Sequence, residues 1–123
     1  MKDQSQFSWR RRTKAFKYAW QGFKALMRYE HNARIHLVAA VVAIAAGFIF
    51  SISAMEWCAI IFCIALVISA EALNSAVEAL ADKITTDHDP LIGRAKDLGA
   101  TAVTLLALAA VIVGLIIFIP KLL

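Results

Sequence analysis

The chain has 123 residues, 61% of them hydrophobic, with a formal net charge of +4 and a mean hydropathy of +0.70. That length allows one domain, residues 1–123. Three long uncharged stretches exclude an ordinary soluble globule, and no aromatic-rich basic groove points to nucleic acid. The positive charge fits anionic lipid headgroups better.

From the N-terminus, Arg10, Lys14, Lys17, Gln21, Lys24 and Arg28 recur every three or four residues. Phe16, Ala19, Trp20, Phe23, Leu26 and Met27 interleave at the same period. The pattern predicts an amphipathic helix over about residues 10–29, lying in the plane of a membrane surface. Its bland role is anchor and topology signal. Gly22 weakens the helix and leaves room for a close neighbour. The segment is no secretory signal, since the apolar run after it is too long and lacks a convincing cleavage site.

Next comes Glu30-His31-Asn32-Ala33-Arg34-Ile35-His36, the entry to the first span. Glu30 and Arg34 belong at the interface, and His36 lies just inside the apolar boundary, where it reads as a hydrogen-bonded interfacial residue. Ile35–Met55 supplies 21 residues with only His36 ionisable, and Leu98–Ile119 supplies 22. About 20 apolar residues cross a bilayer core. The middle stretch, Trp57–Ala70, has 14 and crosses only if its helix continues past Glu71. The expectation is an all-α membrane protein with transmembrane helices over about 31–52, 57–84 and 93–119. Cys58 and Cys63, five apart on one helix, read as small packing residues.

Orientation follows from the cations. Residues 1–34 hold nine Lys and Arg, the 82–97 segment three, and the far side only Lys121 beside Glu56. The positive-inside rule puts the N-terminus and the 82–97 loop in the cytoplasm.

The most informative stretch is Glu71, Asn74, Ser75, Glu78 and Asp82. On a helix these fall at i, i+3, i+4, i+7 and i+11 and share a face. Glu71 lies roughly 21 Å along the helix from Trp57, inside the inner leaflet of a core about 30 Å thick. Carboxylates at such depth usually mark function. Glu71 could accept a proton from a lipid alcohol. Glu78, roughly 10 Å nearer the cytoplasm, suits an oxygen-loving Mg²⁺ with phosphate co-ligands. The bland alternative is that these acids cap a solvated helix end. Arg94, Lys96 and Asp97 follow in a polar loop, and Arg11, Lys14 or Tyr18 could reach a nucleotide from the surface helix. No glycine-rich phosphate loop is present, which excludes soluble-kinase architecture but not phosphoryl transfer.

Glu71-Ala72-Leu73-Asn74-Ser75-Ala76-Val77-Glu78 and Gly93-Arg94-Ala95-Lys96-Asp97-Leu98-Gly99-Ala100 together resemble the signature of the small prokaryotic membrane lipid kinases, the diacylglycerol kinase and undecaprenol kinase family. The resemblance runs from Tyr18-Ala19-Trp20-Gln21-Gly22 through the third span. It implies an ATP-dependent kinase that transfers the γ-phosphoryl group to a lipid hydroxyl. Within it Glu71 matches the catalytic base and Asn74 a polar residue needed in the site. Glu30 and Glu78 match the metal-binding carboxylates, for Mg²⁺. Lys96 and Asp97 match nucleotide contacts, with Arg11 and Tyr18 as further ones. Asp87, His88 and Asp89 fall in a loop near the ATP. The family fold is a homotrimer whose sites form between protomers. Small residues at Ala72, Ser75, Ala76 and Ala79 would permit close helix contact.

The lipid is left open between two types. Glu30 to His36 looks like the E-x-N-x-x-x-H pattern of undecaprenol-kinase-like members, whereas Leu91 to Asp97 looks closer to the diacylglycerol type. A rival reading is a non-enzymatic three-span subunit in which Glu71 and Glu78 line an ion or proton path. A second is a kinase-like scaffold without activity. The first does not explain the cytoplasmic Lys96–Asp97 pair and the basic surface helix; against the second, every expected polar residue is present.

Overall fold

The computed structural model describes residues 8–123, so Lys2, counted among the nine N-terminal cations, lies outside the described residues. Four helices follow one another: α1 (Trp9–Tyr29), α2 (His31–Ile49), α3 (Ala54–Ile84) and α4 (Pro90–Leu122). The last three are long and apolar enough to cross a membrane. The α3 and α4 helices have 31 and 33 residues, or about 46 and 50 Å at 1.5 Å per residue. Both exceed a hydrocarbon core of about 30 Å. Their polar ends, with Glu78, Asp82 and Lys96, therefore continue the helices rather than forming a separate loop domain.

Local chemistry sets the helix ends, and it moves them from the expected positions. The first span stops at Ile49 rather than 52, because Phe50 leaves helical geometry and Ser51 takes a left-handed φ of 50°. The second starts at Ala54 rather than 57. Ser53 caps it, accepting from the Glu56 backbone N–H, while Glu56 accepts from the Ser53 N–H. This reciprocal box satisfies two donors that a bare helix start would orphan. The α4 helix starts at Pro90 rather than 93. Asp89 Oδ1 accepts from the Leu91 and Ile92 N–H groups at 2.9 and 3.2 Å, and Pro90 occupies the first turn, where its missing N–H costs nothing. At its far end α4 runs on to Leu122 through Pro120.

The α3 and α4 helices form an antiparallel hairpin, and polar contacts pin its register at both ends. Lys121 Nζ meets Glu56 Oε2 at 3.1 Å at the end where α3 starts. Lys96 Nζ donates to Asp82 Oδ1 at 2.6 Å at the other. Near the start of α3, Ile52, Ile60 and Ile117 form a buried core, flanked by Trp57, Phe50 and Phe118. Trp57 lies across Gly47, which has no Cβ to obstruct the ring, and stacks at a tilt on Phe48. The α2 helix packs on α3, and α1 touches α2 and α3 through its C-terminal half, where Leu26 is its buried residue. Much of the remaining apolar surface, including Val38, Val42, Phe62, Leu105, Val111 and Ile116, is exposed. In water that would be a liability; for helices facing lipid it is the expected solvation.

Candidate functional site

The acid ladder lies on one face of α3, and its rungs divide among the neighbouring helices. Glu71 is buried, with 3% of its surface exposed, in the helix that the chain sends across the membrane. Its Oε1 lies 3.3 Å from Nε2 of His36 on α2. Asn74 turns to α4: its Oδ1 sits against Gly99, and its Nδ2 donates to Glu78 Oε1 at 3.5 Å. Ser75 turns to α1. Asp82 pairs with Lys96 of α4. A single helical face thus serves three partner helices.

Gly99 is what lets Asn74 enter. A Cβ at position 99 would collide with Asn74 Oδ1 and lie 3.3 Å from its Cγ. Asn74 Oδ1 and Ser75 Oγ are both buried without a hydrogen-bond partner among the described residues. Such orphans cost free energy and mark places where a ligand or ion can supply the missing partner.

Two openings flank α3. One, of about 360 Å³, lies between α2, α3 and α4. Its walls are aliphatic, among them Ala40, Ile64, Val67 and Ala110, and His36 is the polar group at its edge. The other, of about 640 Å³, separates α1 from α3. Phe23, Leu26, Tyr29 and Glu30 line one side, and Ala72, Ser75, Ala76 and Ala79 the other. Within one chain the stripe of small residues faces α1 across open space.

The remaining sequence-derived residues are spread more widely. Glu30 forms the break between α1 and α2; its backbone N–H donates to Leu26 O, and its carboxylate makes no capping bond. It is half-buried, as is Glu78. Arg11 and Tyr18 are exposed on the N-terminal half of α1, whereas the groove against α3 begins at Ala19. Asp87 and His88 are exposed in the α3–α4 connection, and the Asp87 N–H donates to Thr85 Oγ1. Asp89 spends one carboxylate oxygen on the helix cap. Lys96 is half-buried and Asp97 exposed. Among the described residues of one chain, no group of three or more His, Cys, Asp or Glu converges as a metal cage. Asp82 had no role assigned from sequence; its partner lies 14 positions away, a pairing that only the helical hairpin creates. The contact of His36 with Glu71 spans 35 positions and was equally hidden.

Comparison with known proteins identifies the family. The family model for prokaryotic diacylglycerol kinase matches residues 17–118. The chain is 40% identical over 109 residues to the undecaprenol kinase of Bacillus subtilis (strain 168), covering 89% of each chain. It is 36% identical over 99 residues to the diacylglycerol kinase of Escherichia coli (strain K12), covering 80% of this chain and 81% of that one. It is 35% identical over 103 residues to the diacylglycerol kinase of Haemophilus influenzae (strain ATCC 51907 / DSM 11121 / KW20 / Rd), covering 83% and 87%. These relatives are lipid kinases, which supports the enzymatic reading and not the ion-path rival. The match takes in Glu30, the whole acid ladder of α3 and the start of α4, so this three-span chain belongs to the prokaryotic diacylglycerol kinase family.

Proposed function

We propose that the chain transfers the γ-phosphoryl group of ATP to the hydroxyl of a membrane lipid, with Glu71 as the base. The observation that carries this is the burial of Glu71 within a spanning helix, at the level where an apolar groove gives way to polar groups. A lipid hydroxyl can reach that depth from within the bilayer, and ATP can reach the polar ends of α3 and α4 from water. Both substrates then meet at one membrane surface without either crossing it.

The roles divide by position. Glu71 orients and deprotonates the lipid hydroxyl for in-line attack. Asn74 holds Glu78 through its Nδ2. Lys96, held by Asp82 at the cytoplasmic end of the hairpin, offers its ammonium to the phosphates beside Asp97. Arg11 and Tyr18 on the surface helix and Asp87, His88 and Asp89 in the α3–α4 connection make up the outer rim of the nucleotide site. Lying flat at the interface, α1 would bury its aromatic residues among headgroups and keep its basic face at the surface.

Glu30 and Glu78 fit a Mg²⁺ ion by the chemistry of their donors. Both are half-buried carboxylates free of ion pairs among the described residues, and hard oxygen ligands suit the ion. When bound, the ion would neutralise charge on the phosphates. Two carboxylates are too few to hold it alone, so phosphate oxygens complete the set. In one chain Glu30 lines the α1 groove while Glu78 is tied to Asn74 beside α4. Assembly as a homotrimer with sites shared between neighbouring chains would reconcile these directions. The enzyme then sits in the bacterial inner membrane with its site facing the cytoplasm.

Undecaprenol and diacylglycerol are the two acceptors to test. Purified protein in mixed micelles is given labelled ATP, Mg²⁺ and each lipid separately. Label in the lipid fraction confirms the kinase and identifies its substrate. Folded trimer that labels neither lipid would overturn the reading.

A further inference from the structure

We propose that His36 is a proton relay for Glu71, carrying to water the proton that the carboxylate takes from the lipid. The inference rests on the kinase reading and extends it to a residue outside the expected machinery. Three observations support it. Glu71 is almost wholly buried, so a proton on its carboxyl has no direct contact with solvent. His36 is the ionisable partner that touches it, Nε2 to Oε1 at 3.3 Å. The His36 side chain is 23% exposed against 5% for Glu71 and lies within the first two turns of α2, so the imidazole is the more accessible of the pair and stands towards the polar end of the helix.

The step balances. The lipid O–H bond breaks as its oxygen forms a bond to the γ-phosphorus. The bond from that phosphorus to the β–γ bridging oxygen breaks, and ADP leaves with the electron pair. The hydroxyl proton goes to the Glu71 carboxylate. Neutral Glu71 passes it to the Nε2 lone pair of His36, and the imidazolium releases a proton to water. Glu71 is again a carboxylate and His36 again neutral. Without a relay, each turnover would leave the proton on a carboxyl that has no direct contact with solvent.

The surroundings of His36 leave few competitors. From α3 the titratable groups are Glu71 and, further along the groove, Cys63. The α4 residues that line the groove, Ala107, Ala110, Val111, Gly114 and Phe118, are all non-titratable. On α2 itself His31 and Arg34 are exposed. Glu30, at the α1 join, lines the opposite groove with Ser69 and Ala72. An imidazole carries one lone-pair nitrogen and one N–H, so it can accept a proton on one side of the ring and release one from the other.

The test uses full-length protein in lipid micelles. His36→Asn keeps a polar group that can still touch Glu71 but cannot carry a proton; His36→Gln serves if the first variant fails to fold. Turnover is expected to fall by about 10- to 100-fold with the KM for ATP unmoved. The acidic limb of the rate profile between about pH 5 and 9 should disappear, and added imidazole should restore rate. As a readout independent of turnover, the NMR titration of His36 should shift in Glu71→Gln. A variant with wild-type turnover and an unchanged acidic limb would overturn the relay while leaving the kinase intact. A wild-type protein that labels no lipid would sink the kinase reading and the relay together.

Discussion

Gly99→Ala tests whether the α3–α4 contact, and not merely the presence of Asn74, builds the site. The added methyl would fall on Asn74 Oδ1, so the carboxamide must retreat by about an ångström. Asn74 Cα is 3.7 Å from the same point, an ordinary contact, so the two backbones can stay where they are. The side chain therefore moves and its bond to Glu78 is lost. Overpacking of this kind costs about 1–3 kcal/mol. Replacing a helical glycine returns about 1 kcal/mol. The net loss of stability should be about 0–2 kcal/mol, while the loss of one hydrogen bond to a carboxylate lowers turnover by about tenfold. Gly114→Ala is the stability control on the same helix: it meets nothing within 4 Å and should be neutral or stabilising by up to about 1 kcal/mol. The assays are lipid phosphorylation in micelles and thermal inactivation in detergent. In an Asn74→Ala background the Gly99→Ala change should cost nothing further, because the colliding atoms are gone. Full turnover in Gly99→Ala, or equal and additive losses in the double mutant, would refute the reasoning.

Other expectations follow from single contacts. Glu71→Gln should lower turnover by at least about 10²-fold while sparing nucleotide binding, measured by labelled ATP transfer and by nucleotide titration; unaltered turnover rejects it as the base. Gly47→Ala should destabilise the protein by about 1–3 kcal/mol in thermal inactivation, because its methyl would lie 2.6 Å from the Trp57 ring, and an unshifted midpoint would show that the ring has another place to go. Asp82→Asn should change the KM for ATP by no more than about fivefold, since an exposed pair contributes little. Lys96→Ala, which removes the charge itself, should raise that KM by more; equal effects would mean that Asp82 contacts the nucleotide directly.

Three spans and the position of the acid ladder were legible in the chain because hydropathy and helical period are local properties. A 22-residue apolar run must be a helix in lipid, and residues at i, i+3, i+4 and i+7 must share its face. The helix ends were read less well. Capping at Ser53 and Asp89 depends on side chains bonding particular backbone N–H groups, and the left-handed Ser51 ends α2 where apolar composition alone would continue it. The ladder also looked like one acidic surface from its spacing. In the folded chain it divides among α1, α2 and α4, because a helix face wide enough for five residues can touch several neighbours.

What the sequence by itself determined was therefore apolar patterning: which stretches are long and apolar enough to span, where their polar ends begin, and that Glu71 stands at the change. Tertiary structure alone decided who meets whom. Gly99 beside Asn74, Lys96 beside Asp82 and His36 beside Glu71 are separated by 14 to 35 positions, and their contact depends on the register of packed helices. Local sequence signals carry no information about that register, because it is set by side-chain packing between helices and pinned by ion pairs at the two ends of the hairpin.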